Sequence, residues 1–198
     1  YDYYATFVSG KQQQKVHDIP VKDWIGEFNP RTIDVIPLVE DKESLLGVNK
    51  IVEPYLNYLK GKIEQQRVFL ARSDPALNYG MMSAVLLNKC ALAELELLER
   101  KTSVEILPII GVGSVPFRGN FSPDNINCLK GYPSVQTFTV QSAFKYDHPV
   151  AHVKKAVDEI NGTRRGKAIA VDRKKCMDII ERTSARYIRD LKEAMPAL

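Results

Sequence analysis

The chain has 198 residues, of which 44% are hydrophobic and 26% charged. That is length enough for one domain with a real core, in the profile of a soluble globular protein. No apolar run is long enough to cross a membrane. The net charge is +4, and residues 151–198 hold 12 Lys and Arg against 7 Asp and Glu. The basic excess therefore sits wholly in the last quarter. Acids interleave there (Asp172, Asp178, Glu181, Asp190, Glu193), so a solvated mixed-charge helix face or a subunit contact is expected ahead of a nucleic-acid stripe.

The opening, Tyr1 to Phe7, reads as strand or mid-fold material and begins on Tyr rather than Met. An internal piece of a longer protein, or one subunit of a split one, is expected. Four β-branched runs follow: TIDVIPLV (Thr32 to Val39), RVFLA (Arg67 to Ala71), VEILPII (Val104 to Ile110) and SVQTFTV (Ser134 to Val140). Three are near-continuous apolar runs, as strands buried on both faces are. Between them lie helical patterns. Ser44 to Leu59 starts on a possible Ser44 cap, and Leu77 to Arg100 is apolar nearly all round and so expected to be buried. A Gly/Pro/Asn segment spans Gly111 to Pro133. Helices are then predicted over Val150 to Ile160 and over Asp172 to Ala194, the last with Cys176, Ile180, Tyr187 and Leu191 on one stripe.

Strand–helix alternation at this spacing predicts an α/β fold with a parallel sheet. Half of a (β/α)₈ TIM-type barrel is the expected form, and a doubly wound sheet is the alternative. The βα units occupy residues 1–150 and a basic helical region 151–198, within one portion of a larger protein. Cys90, Cys128 and Cys176 lack metal-ligand spacing and are expected to be buried, reduced thiols.

In a barrel, chemistry gathers where strands pass into βα loops. The first run ends at Glu40 and the second at Arg72-Ser73-Asp74. Two carboxylates at like ends of neighbouring strands can converge on a hard cation such as Mg²⁺. They can equally be helix caps or first-turn acids favoured by the helix dipole. The third run leads to Gly111-Val112-Gly113 and on to Phe117-Arg118-Gly119. Glycines admit a close anion, and an arginine fork suits phosphate or carboxylate; an ordinary turn with a solvated Arg is the other reading. The fourth ends near Gln141 and Lys145, which could hold a polar substrate or serve structure.

The segments PLVEDKESL (Pro37 to Leu45), RVFLARSDPALNYG (Arg67 to Gly80), GVGSVPFRGN (Gly111 to Asn120) and TVQSAFKYDHP (Thr139 to Pro149) resemble the archaeal-type phosphoenolpyruvate carboxylases in order and spacing. The resemblance covers roughly Ile33 to Pro149. It implies a barrel with extra helices, Glu40 and Asp74 as ligands of Mg²⁺ or Mn²⁺, and Arg118 as a catalytic anion-binding arginine. It also implies substrate contacts at Arg72, Ser73, Gly113, Gln141 and Lys145. The implied reaction joins bicarbonate to phosphoenolpyruvate, through carboxyphosphate and the enolate of pyruvate, to give oxaloacetate and phosphate. A cytoplasmic homotetramer with no nucleic-acid or membrane partner is implied as well.

Val112 and Leu77 stand where the larger bacterial-type relatives carry an Arg and a Lys, which fits the archaeal type. The family's catalytic histidine belongs to a motif N-terminal to this region, and His17, His148 and His152 do not match it. His148 is read as a structural or loop histidine. The isolated chain is therefore expected to need that histidine from another segment or chain. Two other functions fit the same residues: a different metal-dependent barrel acting on pyruvate or its enol, and a non-catalytic anion-binding or regulatory fragment.

Overall fold

The computed structural model describes residues 1–112 and 121–195. The chain divides into two compact units, Tyr1–Ile36 and Pro37–Leu198.

In the first unit Tyr4–Val8 and Ser9–Gln13 are short helical turns. The strand expected over Tyr1 to Phe7 is not formed. The physical reason is the four-residue spacing of Tyr3 and Phe7, which one helical turn stacks at 5.0 Å between ring centroids. Lys11 lies 3.9 Å over the Phe7 ring. A hairpin follows: β1 (Lys15–Val16) pairs antiparallel with β2 (Ile19–Pro20). His17 and Asp18 form its two-residue turn with φ of 50° and 64°, as a primed turn requires. Helix α1 (Val21–Ile25) follows.

The second unit is a parallel α/β layer. Strands β3 (Leu38–Val39), β4 (Gln65–Ala71), β5 (Glu105–Gly111) and β6 (Thr137–Thr139) pair in that order, all parallel. The alternation read from the sequence is thus present. The order runs consecutively with no reversal among the described strands, so it lacks the switch point of a doubly wound sheet. Strand β3 is shorter than the run that predicted it. Pairing begins where the Pro37 carbonyl accepts from the Phe69 amide at 2.9 Å; Pro37 has no N–H to extend the ladder.

Side chains alternate across the sheet. Val39, Val68, Leu70, Ile106 and Ile110 are buried in the main core. With them pack α3 (Val48–Tyr58), through Val48, Val52 and Leu56, and α5 (Met81–Thr102), through Leu87, Ala91, Leu95 and Leu98. On the opposite face Leu38 is 57% exposed, against 1% for its neighbour Val39. Phe69, Leu107, Thr137 and Thr139 on that face are half-buried.

The helix predicted over Ser44 to Leu59 is two helices, α2 (Lys42–Leu46) and α3, divided at Gly47. The cap is Asp41, whose carboxylate accepts the Ser44 amide at 2.8 Å; Ser44 is its donor, three residues in. Likewise α4 (Ser73–Tyr79) and α5 divide at Gly80, whose φ is 84°. Cys90 on α5 and Cys176 are both buried. Burial, reinforced by the neighbouring Cys176, pushes the Cys90 thiol up to about 12, so it stays protonated and inert.

After α6 (Cys128–Gly131), α7 (Ser142–Tyr146) and α8 (Val150–Gly162), residues 163–172 strap the amino ends of the strands. Arg165 donates to Glu99 at 2.8 Å, to Glu105 at 3.4 Å and to the Ser134 carbonyl at 3.1 Å. Glu99 also accepts the Ile106 amide at 2.8 Å. Helix α9 (Arg173–Ala194) then docks on α4 and α5. Cys176, Ile180 and Ser184 are buried, but Leu191 is 40% exposed, so the apolar stripe ends before it. The last anchor is Tyr187, whose hydroxyl donates to the Leu77 carbonyl at 2.9 Å. Part of the basic charge is paired: Arg182 with Asp178 and Arg186 with Asp190 at i,i+4 spacing, and Arg173 with Glu94. No described helix is long and apolar enough to cross a membrane.

Gly80 is the point at which this docking is most sensitive. A Cβ there would lie 3.1–3.2 Å from the Tyr187 ring on a backbone of positive φ. Gly80→Ala should cost about 1–3 kcal/mol, read as a lower midpoint in urea unfolding; an unchanged midpoint would remove this contact from the account of α9.

Candidate functional site

The parallel register sets the geometry of the carboxyl edge. Val39 pairs with Leu70, Leu70 with Ile110, and Ile110 with Phe138. One residue further on, Glu40, Ala71, Gly111 and Thr139 stand level, and Arg72 and Val112 follow. Asp74 lies in the first turn of α4, Gln141 is the N-cap residue of α7, and Lys145 lies in the last turn of α7. All the strand-end residues singled out in the described sequence thus leave the sheet at one edge.

Glu40 is exposed and follows β3 directly. Because Asp41 caps α2, Glu40 is relieved of the capping role considered for it. Asp74 is exposed in the first turn of α4 and lies 3.4 Å from the Ser73 hydroxyl. Two solvent-reached carboxylates at one edge are a donor set for a hard cation that keeps water or substrate oxygens on its other positions.

Arg72 is different in kind. It is only 4% exposed, with Nη1 3.9 Å from the Cys128 sulfur. Its guanidinium lies beside Tyr132. Burial raises the Tyr132 hydroxyl above its ordinary value, and the Arg72 charge opposes that rise. A buried guanidinium needs compensation, so Arg72 ties the end of β4 to the segment around α6. From the helix side, the buried Asn88 amide donates to the Ala71 carbonyl at 3.2 Å, fixing the same strand end.

Gln141, at the N-cap of α7, and Lys145, within that helix, are both exposed. Gln141 makes no side-chain cap, and Lys145 lies 5.1 Å from the Tyr146 ring centroid. The Thr139 hydroxyl is buried with no hydrogen-bond partner among the described residues. Beneath the edge Phe121 packs against Phe138 and Phe144 at 5.7 and 5.2 Å. Gly113 and Arg118 lie outside the described residues.

One group of polar residues is not legible as a site in the sequence, where His148 reads as a structural or loop histidine. Asp124 lies 3.1 Å from Nδ1 of His148 and 3.3 Å from Nδ1 of His152. The four-residue spacing of the histidines is a visible signal; Asp124 joins them only through the fold.

The fold and this edge define an α/β protein of the class that gathers polar chemistry beyond the carboxyl ends of parallel strands. The family model described as phosphoenolpyruvate carboxylase matches residues 1–198. The phosphoenolpyruvate carboxylase of Methanothermobacter thermautotrophicus is 46% identical over 196 residues, covering 98% of this chain and 40% of that protein. That of Pyrococcus furiosus is 52% identical over 161 residues, covering 81% and 34%, and that of Pyrococcus abyssi 48% over 184, covering 92% and 38%. The chain belongs to the phosphoenolpyruvate carboxylase family. It spans between a third and two fifths of the length of these curated relatives.

The Asp41 cap gives a local pH test. Hydrogen bonds from the Ser44 hydroxyl and amide hold its carboxyl below the ordinary 3.8. A depressed carboxylate contributes stability that is full above its unfolded value and is lost as pH falls through the folded one. Asp41→Ala should therefore lower stability by about 1 kcal/mol at pH 7. The deficit should shrink below about pH 3.8, read by urea unfolding at pH 7 and pH 3. An equal deficit at both would take the charge out of the cap.

Proposed function

We propose that this chain supplies the metal- and anion-handling part of a phosphoenolpyruvate carboxylase, which forms oxaloacetate and phosphate from phosphoenolpyruvate and bicarbonate. The observation that carries the reading is the register: in a sheet of four consecutive parallel strands, β3, β4 and β6 lead into Glu40, Arg72, Ser73, Asp74, Gln141 and Lys145 at one edge, in segments that match the family. The name that these relatives share supports the activity. A sheet with consecutive order, one face under helices and the other part-exposed, is what a portion of a (β/α)₈ barrel would have, its remaining strands coming from elsewhere in the protein.

In this reading Glu40 and Asp74 hold Mg²⁺ or Mn²⁺, whose oxygen preference their exposed carboxylates satisfy. When bound, that ion supplies Lewis-acid stabilisation of developing negative charge. The protein's own groups bind and orient. Lys145 and Gln141, both exposed, offer a cation and an amide to the substrate's oxygens. Ser73, beside Asp74, offers a hydroxyl. Arg72, buried behind them, adds positive potential at the edge where an anion is bound and holds the β4 end in place. Arg118, on the resemblance, offsets charge on the transferring phosphoryl group. The assembled protein is proposed to be a cytoplasmic homotetramer.

The activity is tested on the intact protein by oxaloacetate formation from phosphoenolpyruvate with Mg²⁺, with and without bicarbonate. Bicarbonate-dependent product is expected. Turnover or phosphate release that ignores bicarbonate would replace this reading with another enolpyruvate chemistry.

Glu40→Gln and Asp74→Asn should each lower turnover by more than about 100-fold, beyond what loss of an outer-shell partner of a metal costs. Folding stability should stay within roughly 0.5 kcal/mol, because both side chains are exposed. Mg²⁺ affinity unchanged in both variants, measured by Mn²⁺ competition, would remove the metal assignment.

A further inference from the structure

We propose that Asp124, His148 and His152 form a second cation site, separate from the Glu40 and Asp74 carboxylates, that takes a borderline divalent transition-metal ion such as Zn²⁺. The three come from two distant stretches of chain. Asp124 sits in the turn between Ser122 and Asn125, which is closed by reciprocal backbone hydrogen bonds of 2.9 and 3.2 Å. Phe121, immediately before that turn, is buried against Phe138 and Phe144. His148 precedes Pro149, the N-cap residue of α8, and His152 lies in the first turn of that helix. Each donor is therefore carried on backbone fixed by other interactions, which lowers the cost of assembling the site.

The donor spacing suits a metal. The three residues offer ligand atoms that all lie within 4.8 Å of one another. The shorter approaches are 3.1 Å from His148 Nδ1 to one oxygen of Asp124 and 3.3 Å from His152 Nδ1 to the other. Ligands about 2.0–2.2 Å from a tetrahedral Zn²⁺ stand roughly 3.3–3.6 Å apart. Small side-chain rotations would bring these donors into that range.

The chemistry separates this site from the first. Two imidazoles and one carboxylate suit Zn²⁺, Co²⁺, Ni²⁺ or Cu²⁺; Mg²⁺ takes oxygen donors and keeps its waters. Without a metal the His152 Nδ1–H donates to the Asp124 carboxylate, and His148 Nδ1 stands close to its other oxygen. With one, the ring protons move to Nε2 and Nδ1 is free to coordinate. Asp124 and His152 are more than half exposed, so an ion can enter from solvent. A pocket of about 370 Å³ beside them is also lined by Lys155 and Glu159. That lining holds the Glu159 carboxylate as well as the Lys155 cation, and water can complete the coordination. A bound ion would clip the segment after β5 to the start of α8, both of which follow carboxyl ends of strands.

The test is a Zn²⁺ titration against a chromophoric chelator on the untagged intact protein carrying Glu40→Gln and Asp74→Asn, which silences the first site. One Zn²⁺ per chain is expected. Asp124→Asn and His152→Ala should each weaken it at least 10-fold, and His17→Ala should leave it unchanged. Zn²⁺ but not Mg²⁺ should raise the melting temperature of the parent, and the His148→Ala/His152→Ala double variant should lose that rise. Circular dichroism checks that each variant is folded, which the exposure of these side chains favours. No Zn²⁺ binding, or binding undiminished in the double variant, would overturn the proposal and leave an Asp–His hydrogen-bonded cluster.

Discussion

The backbone ladder joining β3, β4, β5 and β6 is the constraint on which the rest depends. Each pairing fixes the level at which the next strand ends, so one register sets the whole carboxyl edge. A slip of one residue would turn Val68, Leu70, Ile106 and Ile110 away from α3 and α5. Burial of those four side chains, each 1% exposed or less, holds the register at roughly 1.5–3 kcal/mol apiece. The packing that stabilises the layer is thereby the same packing that aligns Glu40, Arg72 and Thr139.

The two ends of the sheet are managed differently. At the amino end Arg165 closes an ionic and hydrogen-bonded clamp over Glu99, Glu105 and the Ser134 carbonyl. Its effect is to tie the 163–172 strap to the strands. At the carboxyl end the described carboxylates and Lys145 are exposed, while Arg72 and Asn88 hold the strand terminus from behind. The clamp lies at one end of the parallel layer and the exposed polar groups at the other.

The elements legible in the sequence were those whose signal is local. RVFLA and VEILPII became β4 and β5 because continuous β-branched runs suit strands buried in a parallel sheet. Helix breaks were harder. Gly47 and Gly80 divide helices that the apolar pattern joins, because hydrophobic periodicity does not register a backbone turn. The opening residues went to helical turns instead of strand, since Tyr3 and Phe7 have a spacing that both readings accept. At the candidate site, the strand-end rule singled out Glu40, Arg72, Ser73, Asp74, Gln141 and Lys145, which the register brings to one edge. It could not tell that Arg72 is buried while Lys145 is exposed, because burial is a property of what packs around a residue.

The sequence by itself determined the βα alternation, the polar character of the strand ends and, through its matching segments, the family. These are carried by residue type and short-range order. Only the tertiary structure decided the consecutive strand order, the relief of Glu40 by the Asp41 cap, the enclosure of Arg72 by Cys128 and Tyr132, and the meeting of Asp124 with His148 and His152. Each of these joins groups through space rather than along the chain. Asp124 and His152 stand 28 residues apart in sequence and 3.3 Å apart in the fold, and no local pattern encodes that distance.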